Sequence, residues 1–156
     1  MDDPKAAWAN STGLQFLEMI ADGRIPLLPQ TAALGLQLLT VRPGHVELAW
    51  RPSVAMCNAT GAAVHGGYIA MVLDDCAGMS CASMTERLWP LLTLELRLDF
   101  LRPVAPDGNY RIISDVVHRG STRFVADARV LRGESELLAR ASGSFVSNQR
   151  FKPAAD

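Results

Sequence analysis

Val64–Met84 reads VHGGYIAMVLDDCAGMSCASM, and the fold turns on how this stretch is read. Apolar or small residues fill nearly every position over several turns, the pattern of a helix buried on most sides. Two adjacent carboxylates, Asp74 and Asp75, interrupt it. An ionised carboxylate in a low-dielectric interior costs on the order of several kcal/mol unless it is paired, solvated or kept neutral. At least one of the two therefore needs a reason to be there.

The flanking sequence supplies strands. Upstream, LGLQLLTV and HVELAWR surround the turn Arg42-Pro43-Gly44 and predict a hairpin. Downstream, LLTLELRLDFLRP alternates, with Leu92, Leu94, Leu96, Leu98 and Phe100 on one side and Thr93, Glu95, Arg97 and Asp99 on the other. NYRIISDVVHRG, TRFVADARVLRG and ESELLARASGSFVSN follow as three more strands, the first two joined at Arg119-Gly120-Ser121. Nearer the N-terminus, Ser11 is placed to cap a helix running to about Asp22, with Leu14, Leu17 and Ile20 on one stripe and Gly23 at its end. IPLLPQ, stiffened by Pro26 and Pro29, reads as a connector.

The expectation is an α+β chain of one domain over residues 1–156: an N-terminal helix and connector over 1–30, a central helix over 64–84, and an antiparallel meander around that helix. One sheet wrapped on a helix leaves strand edges unpaired. Small residues such as Ala70, Gly78 and Ala82 would let a second surface approach, so an edge-to-edge dimer is expected.

Composition narrows the function classes. A formal net charge of -1 gives no general attraction to nucleic acid or to an anionic membrane. All basic residues except Lys5 and Lys152 are arginine, and most lie from Arg97 onward. Cys57, Cys76 and Cys81 are odd in number and form no C-x-x-C pair, and His45, His65 and His118 are scattered, so neither a disulfide framework nor a metal site is expected. With no apolar run of about 18 residues and no signal-like N-terminus, the expected compartment is the cytoplasm. Cys76, Cys81, Met71, Met79 and Met84 read as packing residues, and Trp50 and Trp89 as core or interface.

His65-Gly66-Gly67 stands where the loop RPSVAMCNATGAAV becomes helix. Glycine in a first turn costs stability but lets another atom reach the backbone. The N–H groups there lack partners within the helix and face the positive end of its dipole, which suits a developing oxyanion. Residue type alone leaves open a capped, glycine-rich helix start with no ligand. Asp74 is seven residues beyond Gly67 and returns to the same face, roughly 10 Å along the axis. Asp75 is rotated toward Tyr68, Met71 and Val72. Either acid could equally be a hydrogen-bonded structural group.

Asn58 in the loop, His65-Gly66-Gly67 opening a long apolar helix, and an Asp nine residues after the His resemble the hotdog-fold acyl-CoA thioesterases of the phenylacetate-degradation (PaaI-like) type. The similarity runs from about Leu34 to Val146 and includes TLELRLDFLRPVA and VVHRGSTRFVADARV. The resemblance implies a hotdog fold, with an antiparallel sheet wrapped around one long central helix, hydrolysing aryl- or medium-chain acyl-CoA. It implies Asp74 as general base or nucleophile, Gly66 as donor to the thioester carbonyl with Gly67 beside it, and His65 fixing that loop. Asn58 and Thr93 would hold the attacking water. His118, Arg119, Gly120 and Arg123 would border the coenzyme A portion. Coenzyme A is then part of the substrate and no separate cofactor is called for. The resemblance also implies a homodimer or a dimer of dimers, with Asp74 of one subunit meeting Gly66 and Asn58 of the other. A hotdog enoyl-CoA hydratase or dehydratase and a non-catalytic acyl-CoA binding protein are the alternatives.

Overall fold

The structure, a computed structural model, describes residues 2–87 and 90–148; Trp89 lies outside them. Four helices and six strands follow in the order α1 (Pro4–Asn10), α2 (Gly13–Ala21), α3 (Pro29–Ala33), β1 (Leu36–Arg42), β2 (His45–Trp50), α4 (Gly66–Ala82), β3 (Leu91–Phe100), β4 (Tyr110–Arg119), β5 (Arg123–Arg132) and β6 (Glu136–Ser147). The strands form one antiparallel sheet in the order β1-β2-β4-β5-β6-β3, wrapped around α4. This is the expected hotdog architecture. No helix among the described residues is long and apolar enough to cross a membrane.

Small residues on both surfaces let helix and sheet approach closely. Cys76, Ala77, Ser80 and Cys81 of α4 are buried, as are Ala126 and Ala128 of β5 and Ala139 and Ala141 of β6. Bulkier Val46, Leu48 and Ile112 fill the space where β2 and β4 meet the helix. Polar groups in this contact are satisfied: Ser80 Oγ lies 2.8 Å from Ser114 Oγ, and the Cys76 thiol donates to the carbonyls of Val46 and Ile112. Trp50 is fully buried and its Nε1–H donates to the Leu34 carbonyl.

Three expectations need correction. First, the strands do not form a simple meander. β3 follows the helix directly in sequence yet pairs with β6, so it occupies the far edge of the sheet. Second, β3 does not alternate without interruption. Thr93 is opposite Phe145 and Glu95 opposite Ser144, so Leu94 is an extra, bulged residue. Leu96, Leu98 and Phe100 share cross-strand rows with the buried Ala126, Ala128 and Val130, and Thr93 with the buried Phe124. The bulge thus turns Thr93 onto the helix-facing side, while Leu92 and Leu94, expected on one side with Leu96 and Leu98, are 50% and 58% exposed. Third, the N-terminal segment holds three helices. Asp3 caps α1 ahead of Pro4, and Ser11 closes that helix. Thr12 caps α2 through a reciprocal box with Gln15. Part of IPLLPQ becomes the start of α3, with Pro29 in its first turn.

Two glycines set how these helices meet α4. Gly13, the first residue of α2, lies so close to the end of α4 that an added Cβ would stand 1.7 Å from the Ala82 carbonyl oxygen. Its N–H donates to the Thr85 carbonyl. Gly78, inside α4, has only the Phe145 ring nearby, 3.8 Å from such a Cβ. Opposite outcomes are expected in denaturant unfolding. Gly78→Ala should stabilise the fold by about 1 kcal/mol through helix propensity. Gly13→Ala should cost about 1–3 kcal/mol because backbone must move. Equal effects of the two would refute the close seating of α2 on α4.

Candidate functional site

The start of α4 is fixed from its preceding loop. Cys57 and Val64 form an isolated antiparallel bridge, the Val64 N–H donates to the Val104 carbonyl, and the His65 N–H donates to the Met56 carbonyl. His65 then acts as the helix cap, its Nδ1 accepting the Gly67 N–H at 3.0 Å. The Gly66 N–H makes no hydrogen bond among the described residues. It is therefore the first-turn donor left for a ligand atom, at the positive end of a 17-residue helix. The Phe100 ring packs against Gly66, 3.3 Å from where a Cβ would stand.

Two turns further along, Asp74 is half-buried and accepts from Thr93 Oγ1 at 3.0 Å and 3.2 Å through its two carboxylate oxygens. One side-chain hydroxyl thus reaches both oxygens, and it does so because the bulge at Leu94 re-aims Thr93. Burial raises the proton affinity of Asp74 above the ordinary carboxylate value, and the Thr93 hydrogen bond opposes the shift. Asp75 is not confined to the other face as expected. It accepts from Thr31 Oγ1 of α3 at 3.1 Å and borders the same cavity as Asp74. Its proton affinity is likewise raised, mainly by burial, with the Asp74 charge adding and the Thr31 hydrogen bond opposing.

The cavity beside the two acids holds about 200 Å³. Its walls come from α1, α2, α4, the start of β3 and Phe145, with Phe16, Leu17, Ile20 and Met79 among the apolar side chains. Sequence reading missed Thr31 and the N-terminal wall. The cues were present: Asp-Pro at residues 3–4 and Pro29 ahead of a polar turn both mark helix starts. A larger hollow of about 840 Å³, between the N-terminal helices and β1, contains none of the expected site residues.

The remaining candidates stand apart from Asp74 within one chain. Asn58 is exposed in a tight turn, its Oδ1 accepting from the Thr60 N–H at 3.2 Å and the Thr60 hydroxyl at 2.6 Å. Gly66 is eight residues from Asp74 on one helix, about 12 Å along the axis. The helix thus separates donor and acid too widely for both to meet one carbonyl in a single subunit. His118, Arg119, Gly120 and Arg123 form the β4–β5 turn, closed by the Gly120 N–H donating to the Arg123 carbonyl at 2.8 Å. Arg123 reaches Ser144 Oγ at 3.0 Å and stands 3.9 Å from Glu95; all three of His118, Arg119 and Arg123 are exposed. Arg123 shares a cross-strand row with Val146 and Leu92, next to the row of Thr93, so the turn and Asp74 lie toward the same end of the sheet.

Buried thiols take no part. Desolvation raises the Cys76 thiol well above its ordinary range and Cys81 to about 12.

Comparison with known proteins adds a family. The sequence profile of the thioesterase superfamily matches residues 61–139, which include Gly66, Asp74, Thr93 and the β4–β5 turn. The medium/long-chain acyl-CoA thioesterase YigI of Salmonella typhimurium is 30% identical over 151 residues, covering 86% of this chain and 96% of that protein. A thioesterase family protein from Silicibacter pomeroyi is 28% identical with a TM-score of 0.73, covering 84% of this chain and 97% of that one. The PaaI protein of the Escherichia coli phenylacetic acid degradation operon shares the fold, with a TM-score of 0.74 at 19% identity over 84% of this chain and 92% of its own.

The buried acids carry a consequence for stability. As pH rises past the ordinary carboxylate value of 3.8, the unfolded chain releases protons that the folded chain still holds. Stability associated with Asp74 and Asp75 is therefore full below that value and is lost as pH climbs to their raised values. Asp75→Asn keeps an acceptor for Thr31 and cannot ionise. Its thermal midpoint should exceed that of the unmodified chain at neutral pH, with the gain shrinking as pH falls toward 3.8 and absent below it. A gain independent of pH would contradict the burial of an ionising Asp75.

Proposed function

Because the chain belongs to the thioesterase superfamily, we propose that it hydrolyses acyl-CoA thioesters, of the aryl or medium-chain kind, to free acid and coenzyme A. Asp74 carries this reading: a half-buried carboxylate with raised proton affinity, oriented by Thr93 and bordering an apolar cavity. A base whose pKa moves toward working pH is better matched to removing a proton from water. Asp74 accepts that proton as the water oxygen attacks the thioester carbon. The carbonyl oxygen gains charge against the Gly66 N–H, and the tetrahedral intermediate collapses with release of the thiolate. The thiolate then takes the proton held by Asp74. Thr93 engages both carboxylate oxygens, which favours the water route over direct attack and an anhydride.

The acid and the Gly66 donor come from different subunits of a homodimer. β3 is an unpaired sheet edge among the described residues, and exposed Leu92 and Leu94 on it, with Tyr68 and Met71 on α4, offer the apolar surface. Asn58 from the second subunit helps to hold the water through its side-chain amide. His118 and Arg119 meet the coenzyme A phosphates, with Arg123 partly committed to Ser144 and Glu95.

Asp74→Asn should lower kcat by about two orders of magnitude or more with the fold intact, as expected for loss of a general base. Asp75→Asn should matter much less. Thiol release from acyl-CoA measures both, and an unchanged rate in Asp74→Asn removes the proposed base.

Subunit sharing is tested by mixing. Asp74→Asn and Asn58→Ala are each impaired, but a mixed dimer has one site with both native residues. Random reassortment makes half the dimers mixed, so roughly a quarter of native activity should return. No recovery, with mixed dimers verified by mass, would mean that Asp74 and Asn58 do not meet across the subunit boundary.

A further inference from the structure

Asp74, Gly78 and Ala82 follow one another at four-residue intervals on α4, so they form one face about 12 Å long. All three border the 200 Å³ cavity, and the side chains shrink along the face from a carboxylate to glycine and alanine. α2 lies opposite and contributes Phe16, Leu17 and Ile20. Its first residue, Gly13, rests on the Ala82 carbonyl, so this wall is fixed to the far end of α4. Trp8 of α1 joins the wall by packing edge-on against Phe16, with ring centroids 5.4 Å apart. The result is an apolar space with two acid–hydroxyl pairs in its wall, Asp74 with Thr93 and Asp75 with Thr31.

A ligand matching this pattern has a polar reacting group and a short apolar tail. Taking ~30 Å³ for each carbon-sized group, the share of volume a water takes in the liquid, the cavity holds about seven of them. We propose that the space between α2 and α4 is the acyl pocket, that it accepts medium-length tails and excludes long ones, and that Gly78 and Trp8 set the limit. The inference rests on the hydrolase reading for the identity of the polar group. Gly78 is the point where the α4 wall lacks a side chain. Trp8 is only partly buried, so its indole can be removed with less disturbance than the buried Phe16.

The test uses the native chain, Gly78→Val and Trp8→Ala with straight-chain acyl-CoAs from butyryl to palmitoyl, read by thiol release. In parallel, calorimetry follows binding of the matching S-alkyl-CoA thioethers, which cannot be hydrolysed. Gly78→Val should shift both length profiles toward shorter chains, lowering the decanoyl-to-butyryl ratio of kcat/KM at least about tenfold through lost burial of several methylenes. Trp8→Ala should shift them toward longer chains. Thermal unfolding checks that each variant folds, and should either fail to fold, the other tests the pocket alone. Thiol release with unchanged length profiles in the folded variants would overturn the pocket and leave the hydrolase reading standing. Binding profiles that shift as expected without thiol release would uphold the pocket and overturn hydrolysis.

Discussion

Close packing of α4 against the small-residue rows of a single sheet is the constraint on which the remainder of the structure depends. With Ala77, Ser80 and Cys81 buried on α4 and Ala126, Ala128 and Ala141 buried on the sheet, little room remains between helix and sheet for a larger or charged group. Asp74 and Asp75 therefore lie on the flank of this contact, one beside β3 and the other beneath α3. There they are half-buried, so desolvation raises their proton affinity while a hydroxyl still orients each one. A carboxylate in that position combines chemical reactivity with access to a cavity. The same group deeper in the contact would be protonated and sealed, and on the open surface it would be an ordinary weak base.

The second constraint is one extra residue in β3. Were Leu94 paired as a regular strand residue, alternation would be strict and Thr93 would lie with Glu95 and Arg97 on the outer side of the sheet. The bulge reverses the side-chain directions on its N-terminal side. It brings Thr93 to Asp74 and turns Leu92 outward. A single irregularity thus orients the proposed base and enriches the free edge in apolar surface. Both consequences suit an active site completed by a second subunit, because the edge that would join the partner lies beside the acid that would serve it.

The N-terminal helices give this site a bounded interior. The face Asp74–Gly78–Ala82 would be an open groove if α4 and the sheet stood alone. Gly13 seats α2 directly on the last turn of α4, Trp8 packs against Phe16, and Thr31 ties α3 to Asp75. The same contact that holds Asp75 therefore helps to close the cavity. Proton affinity at the acids and the shape of the apolar space are set by one group of packed elements.

Sequence alone determined the parts governed by local periodicity. The apolar run of Val64–Met84 marks α4, and Arg42-Pro43-Gly44 marks the first hairpin. The alternation after Tyr110 marks β4 to β6, since each signal repeats within a few residues. The His-Gly-Gly and Asp pattern singles out Gly66 and Asp74; the fold adds the His65 cap on Gly67 and the Thr93 contact on Asp74. Only the tertiary structure decided that β3 crosses to the far edge, that Leu94 is bulged, and that Thr31 meets Asp75 across 44 residues. These features depend on which strand pairs with which and in what register. That choice is made by long-range packing against α4, and a local pattern of apolar and polar residues contains no information about a distant partner.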